Sequence, residues 1–374
     1  MPCEGVVELV NGLIRRAVAA RASDVHFEPG SEHMCVRFRV DALLQEIERL
    51  PSALAPNVVA RLKVMAGLLT YRSDVPQEGG IPPDPALAPY DIRVATFPTI
   101  RGERVVLRLL AQQSALLKLD ELGHDPALVA RLRELLALPQ GLLIVCGPAG
   151  GGKTTTLAAM LNEVLAARPG LSILALEDPV EIRIDGVTQI EVAPERGLTY
   201  ARALRSLLRQ DPQVLMIGEV RDAETAHLVV EASLTGHLLL TSLHSGSPAE
   251  ALVRLREMGI PAYQLTSTVQ GVLAQRLLRT VCADCRGAAP PHACSSCLGS
   301  GFAGRAAVGV LAAMSPGLRQ ALLDGVDIIG LSQHCPGSLR TDAERLVAAG
   351  RTTAPEIDRV LGRQSAGCQQ EHRR

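Results

Sequence analysis

Aromatic side chains are scarce in this chain of 374 residues, which has no tryptophan and only four tyrosines and four phenylalanines. Their scarcity argues against a surface that stacks successive nucleic-acid bases on aromatic platforms, and it leaves the cores to be built from aliphatic residues. Net charge is lacking too. With 38 Lys and Arg against 39 Asp and Glu, the formal charge of −1 calls for neither a nucleic acid nor an anionic membrane. No run approaches the ~18 apolar residues of a membrane-spanning helix. The segment Met1 to Glu8 shows no basic stretch leading into an apolar one. These absences predict a cytosolic protein. Of nine cysteines, Cys3, Cys35, Cys146, Cys335 and Cys368 are scattered and read as ordinary thiols of a reducing compartment, while the other four are clustered.

The length suggests two domains, and a 47% apolar content is ample for burying cores. Val6, Leu9, Val10, Leu13, Ile14, Ala17 and Val18 recur at helical spacing, and strand-like segments follow around Val25–Phe27 and Val36–Val40. A helix at Val58–Leu69 and strands at Asp91–Phe97 and Arg104–Leu110 complete an α+β module of about one hundred residues. Polar residues near Gln112–Ser114 mark a linker. Beyond it, apolar runs at Leu142–Cys146, Ser172–Leu176, Val214–Ile217 and His237–Leu240 alternate with helical stretches at Tyr200–Arg209 and Ala223–Leu234. That alternation predicts a parallel sheet flanked by helices. After Thr280 the composition turns to Cys, Gly, Ala and Pro, and the chain from Pro316 onward reads as short helices.

Gly147-Pro148-Ala149-Gly150-Gly151-Gly152-Lys153-Thr154 fits G-x-x-x-x-G-K-[ST], directly after an apolar strand and before a helix-forming stretch from Thr155 to Ala167. The glycines let backbone N–H groups turn toward phosphates, Lys153 reaches the terminal phosphates, and the Thr154 hydroxyl suits Mg²⁺. Acidic groups end two predicted strands. The Glu177-Asp178-Pro179-Val180-Glu181 box can orient or deprotonate a water, or it is a solvated acidic turn. Gly218-Glu219 ends the next apolar run, placing a carboxylate near a metal or its water, and Arg221-Asp222 reads as an ion pair or a sensor contact. His237 and His244 flank a buried strand, where either can feel a γ-phosphate or serve structure alone. Cys282-x-x-Cys285 and Cys294-x-x-Cys297 form paired knuckles that suit a tetrahedral Zn²⁺ held by four thiolates, with a redox dithiol as the rival. Such a zinc site is structural, because four protein ligands leave no open position.

Taken together, these motifs resemble those of the secretion superfamily ATPases. The resemblance also rests on Ala274-Gln275-Arg276-Leu277 and, upstream, on Ala22 to Pro29, Pro76 to Gly79, Asp91 to Arg93 and Gly102 to Arg104. It is strongest with the assembly branch, the hexameric motors of type II secretion (general secretion pathway protein E) and type IV pilus assembly. The family implies an α/β fold, with an α+β N-terminal domain (1–112), a linker (113–122) and a RecA-like P-loop ATPase domain (123–374). That last domain would carry a four-cysteine zinc hairpin (280–305) and a helical tail (316–374). The match starts at the family's second N-terminal domain, without the first domain that docks on an inner-membrane partner.

By resemblance, residues Gly147 through Thr154 and Thr155 bind ATP, Glu177 is the general base, and Glu219 is the acid near Mg²⁺. His237 and His244 flank the family's His box. Arg93 and Arg108 match N-domain arginines that approach the phosphates on closure. Also implied are a homohexamer peripheral to the inner membrane, a platform protein as partner, and no specific nucleic acid. Ala149 and Gly151 stand where Thr and Ser are frequent, and the acidic residue usual after Gly301-Phe302-Ala303-Gly304-Arg305 is absent from Ala306 to Ala313. A retraction motor, which lacks the cysteine knuckles, is one alternative. Others are a DNA-dependent ATPase with a zinc ribbon and a nucleotide-binding module without turnover. Whether the fibre is a secretion pseudopilus or a true pilus is left open by the sequence.

Overall fold

The structure, a computed structural model, describes residues 3–89, 91–109, 118–288, 294 and 296–363. The chain folds as two compact units, Met1–Gln112 with Val281–Gly304, and Gln113–Thr280 with Arg305–Arg374. The linker expected near Gln112–Ser114, together with Ser295, Cys368 and the end of the tail, lies outside the described residues.

In the first unit, helix α1 (Cys3–Ala19) leads into strands β1 (Asp24–Pro29), β2 (His33–Val40) and β3 (Leu43–Pro51). Helix α2 (Ala55–Met65) and strands β4 (Gln77–Ile81), β5 (Ile92–Thr99) and β6 (Gly102–Leu109) follow. The sheet runs β3-β2-β1-β6-β5-β4, antiparallel throughout. In β1, β2 and β6 alternate residues make one face apolar: Val25 and Phe27, Val36 and Phe38, and Val105 and Leu107 are buried. Leu13 and Ile14 of α1 and Val58 and Leu62 of α2 join the same core. Burying an apolar side chain of this size contributes about 1.5–3 kcal/mol relative to exposure, so this core offsets the entropy of ordering the sheet. The opposite face carries charge.

The second unit begins with α3 (Pro126–Leu136), capped by the Asp125 side chain on the Ala127 N–H, and β7 (Gly141–Cys146). Then come α4 (Lys153–Ala167), β8 (Ile173–Glu177), β9 (Thr188–Glu191), α5 (Tyr200–Leu207), β10 (Val214–Ile217), α6 (Ala223–Leu234) and β11 (Leu238–Leu243). Helices α7 (Pro248–Glu257) and α8 (Ala262–Thr268) precede β12 (Val269–Val281) and β13 (Phe302–Ala313). Short helices α9 (Pro316–Leu323), α10 (Ile328–Ser332), α11 (Leu339–Ala348) and α12 (Ala354–Leu361) close the described chain. The sheet order is β13-β12-β7-β11-β10-β8-β9, and β12, β7, β11, β10, β8 and β9 are parallel neighbours. Every residue of β7, β8, β10 and β11 is buried, as a strand covered by helices on both faces requires. The cysteine segment between β12 and β13 interrupts the second unit in sequence but groups with the first. There Gly304 N–H donates to Asp41 Oδ2 at 2.8 Å and Leu298 packs on the apolar core.

Candidate nucleotide site and cysteine cluster

The G-x-x-x-x-G-K-T loop leaves the buried strand β7 at Cys146 and enters α4 at Lys153. Gly150 (φ +70°) and Gly152 (φ +80°) take left-handed conformations that glycine adopts without a Cβ penalty. Among the described residues no side chain caps α4, and the first N–H groups of such a turn are donors suited to an anion. Lys153 is 8% exposed, and its Nζ donates to the carbonyls of Gly147 (3.1 Å) and Pro148 (3.0 Å). Burial pulls this ammonium below the usual lysine range, with the Glu219 carboxylate opposing the shift.

A cleft of about 260 Å³ opens beside the loop, lined by Ala149, Gly150, Lys153 and Thr154, and by Glu177, Glu181, Glu219 and His244. It lies at the C-terminal ends of β7, β8, β10 and β11, where open parallel sheets bind ligands. Glu177 is the last residue of β8 and is buried. Burial pushes its pKa up to about 7, reinforced by Glu181 and Glu191 and opposed by the Gln189 Nε2 bond to its Oε1 at 2.8 Å. Glu219 follows β10. Its Oε2 lies 2.9 Å from His244 Nε2 and its Oε1 accepts from Arg221 Nε, while Arg221 Nη1 also donates to Asp178 Oδ2 at 3.0 Å. One guanidinium thus ties the two acidic boxes together.

Gly147, Pro148, Gly151, Gly152 and Thr155 belong to the same loop and first helical turn without lining the cleft. His237 is not among the residues that line the cleft. It precedes β11, with its carbonyl accepting from Gly141 N–H at the start of β7, and its Nδ1 lies 2.8 Å from Ala232 O. The parallel register puts His237 and His244 at opposite ends of one strand, about 20 Å apart by strand rise, so only His244 reaches the cleft of its own chain. Asp222 caps α6 through the Thr225 N–H. Arg93 and Arg108, in the first unit, are direct cross-strand partners on the charged sheet face. Arg108 Nε pairs with Asp24 Oδ1 at 3.2 Å and Arg39 Nε with Asp24 Oδ2 at 3.3 Å, so one carboxylate serves two of three neighbouring guanidiniums.

The four clustered cysteines converge, with ligand sulfurs all within 4.8 Å of one another. Cys282 Sγ lies 3.8 Å from Cys294 Sγ, and Cys285 Sγ lies 3.6 Å from Cys297 Sγ. Four sulfurs about 2.3 Å from a tetrahedral zinc would sit about 3.8 Å apart, so the set fits that ion with little adjustment. Those two separations are far longer than the roughly 2.05 Å of a disulfide bond, so neither is a covalent S–S link.

Residues 3–359 match the type II/IV secretion system protein family. The type II secretion system protein HxcR of Pseudomonas aeruginosa is 42% identical over 363 residues, which cover 95% of this chain and 77% of that protein. The chain belongs to the type II/IV secretion system protein family. The type II secretion system ATPase E of Vibrio cholerae is 37% identical over 381 residues, covering 95% of this chain and 75% of that one. In fold, this secretion family chain resembles the ATPase DotB of Legionella pneumophila, with a TM-score of 0.69 and 21% identity over 92% of this chain and 93% of that one. It also resembles the pilus retraction motor PilT solved with bound ADP, with a TM-score of 0.63 and 22% identity over 96% of this chain and 97% of that one.

Several residues of the secretion family site had no usable sequence signal. Tyr200 lines the cleft, and its hydroxyl oxygen would lie 3.3 Å from a Cβ placed on Gly218; burial pushes its ionisation upward. In sequence Tyr200 merely starts a helix. Gln189 is a strand residue until the fold sets its amide against Glu177 and the Ile182 carbonyl.

Proposed function

We propose that this secretion family protein is a Mg²⁺-dependent ATPase motor that drives assembly of a pseudopilus or pilus. The reading is carried by one observation: Lys153, Thr154, Glu177 and Glu219 meet in one cleft at the strand ends. Lys153 would exchange its carbonyl partners for the terminal phosphate oxygens, and the uncapped turn of α4 would bind the phosphates by backbone N–H groups. Glu177, with a pKa near neutrality, is suited to take a proton from the attacking water. The Thr154 hydroxyl and Glu219 would hold Mg²⁺ directly or through water. When bound, that ion supplies charge neutralisation on the β- and γ-phosphates. Steady release of phosphate from ATP and Mg²⁺ by the purified chain supports this reading, and nucleotide binding without any single-turnover hydrolysis sinks it in favour of a regulatory module.

The motor would work as a homohexamer, peripheral at the cytoplasmic face of the inner membrane and recruited by a platform protein. No helix among the described residues is long and apolar enough to cross a membrane. Like charges placed directly across a strand pair are destabilising, so the Arg93–Arg108 pair marks a place that an anion would stabilise, in keeping with a phosphate-directed role. Specific activity is therefore expected to rise with protein concentration as rings form, and Arg93→Ala to lower kcat more than nucleotide affinity. Constant specific activity in a confirmed monomer, unchanged by Arg93→Ala, would rule this mechanism out.

The cysteine cluster would hold structural zinc. Purified protein is expected to contain about one Zn²⁺ per chain with four sulfur ligands, measured by elemental analysis and X-ray absorption. Because the metal closes a hairpin with little core of its own, Cys294→Ser should disorder residues 281–304 first while ATP binding at Lys153 persists. Metal-free protein with a Cys282–Cys285 or Cys294–Cys297 disulfide under cytosol-like reduction would favour the redox reading.

A further inference from the structure

Gln275 is fully buried on β12, one residue beyond the Ala274–Cys146 register pair that joins β12 to β7. Both ends of its amide are engaged. Oε1 accepts from Thr156 Oγ1 at 2.9 Å, in the first turns of α4, and Nε2 donates to the Gly151 carbonyl at 2.7 Å, inside the loop. The Gly151 carbonyl only accepts, so it takes the nitrogen end of the amide, and the Thr156 hydroxyl, able to donate, holds the oxygen end. Two glycines let the loop lie this close: a Cβ on Gly147 would meet the Gln275 carbonyl at 2.7 Å, and one on Gly152 would sit 3.2 Å from Gln275 Nε2.

In a trans peptide the C=O of one residue and the N–H of the next point in opposite directions. Drawing the Gly151 oxygen toward β12 therefore turns the Gly152 N–H away from β12, in a loop whose Ala149, Gly150 and Lys153 line the cleft. We propose that Gln275 is a positioning residue that holds the Gly151–Gly152 peptide in its phosphate-binding orientation before nucleotide arrives, with Thr156 anchoring the other end of its amide. The inference rests on the nucleotide-binding reading above. A preorganised donor binds without first breaking other contacts, so its loss appears mainly as lost affinity.

The test measures ADP binding and ATP turnover by the full chain and three variants. In Gln275→Met the Kd for ADP should rise about tenfold, the KM for ATP should rise in parallel, and kcat should stay within about twofold. Thr156→Val keeps the side-chain shape but leaves the buried amide oxygen without its anchor, and should weaken ADP binding about threefold or more. Thr156→Ser keeps the hydroxyl and should bind as wild type, although it loses a buried methyl group. A role confined to packing predicts the reverse order, with Val tolerated and Ser impaired. If Gln275→Met fails to fold, the two Thr156 variants decide. Wild-type ADP affinity in both Gln275→Met and Thr156→Val, or Ser weaker than Val, overturns the proposal while the nucleotide reading stands. Failure of the wild-type chain to bind ADP overturns both.

Discussion

Lys153→Ala is expected to lower ATP hydrolysis at least about a thousandfold and to weaken ATP binding, because the terminal phosphates lose their principal cation. The lysine is poised for that exchange. Its ammonium is withdrawn from water and rests on two carbonyls, partners weaker than a phosphate oxygen, and burial already pulls its pKa below the usual lysine range. Removing a desolvated charge that gains only carbonyl contacts should leave the nucleotide-free fold intact. Phosphate release measured beside a thermal unfolding curve separates lost chemistry from lost structure. Wild-type turnover in a folded Lys153→Ala protein would overturn the assignment of the cleft.

Glu177→Gln should part from Lys153→Ala in two ways: it should keep ATP binding while losing at least about a hundredfold in hydrolysis, and it should stabilise the protein at alkaline pH. The sign follows from proton linkage. Burial raises the Glu177 pKa from 4.5 to about 7, so between those values the folded chain holds a proton that the unfolded chain has released. Stability therefore falls as pH rises from 4.5 to about 7 and stays lower above it. Glutamine imitates the protonated acid and escapes this loss. At about 1.4 kcal/mol per pKa unit the gain at pH 8 is on the order of 3 kcal/mol, vanishing below pH 4.5. In wild type kcat/KM should rise with pH through about 7 and then level, as expected for a base active when ionised. A folded Glu177→Gln protein that hydrolyses normally, or melts below wild type at pH 8 without nucleotide, would remove Glu177 from the mechanism.

The phosphate loop was legible in the sequence because its signal is covalently local: strand, glycines, Lys-Thr and helix follow one another. Glu177 and Glu219 were legible because each closes an apolar run, and parallel sheets put such ends on the ligand side. The same rule separates the histidines once strand direction is known, since His237 precedes β11 and His244 follows it. Arg221-Asp222 reads in sequence as an ion pair or a sensor contact, whereas in the fold Arg221 binds Asp178, 43 residues away, and Asp222 caps a helix. No periodicity encodes a contact of that range. Strand β3 escaped because its residues are mostly half-exposed and do not alternate, and β4 because it holds two adjacent glycines.

The guanidinium of Arg221, shared between Asp178 and Glu219, makes these three positions one inheritable unit. Loss of either acid hands the whole cation to the other, and loss of the arginine leaves both carboxylates without their shared cation. Substitutions at 178, 219 and 221 therefore cannot be scored one at a time: the effect of each depends on which residues the other two positions carry, and drift at one narrows what the others tolerate.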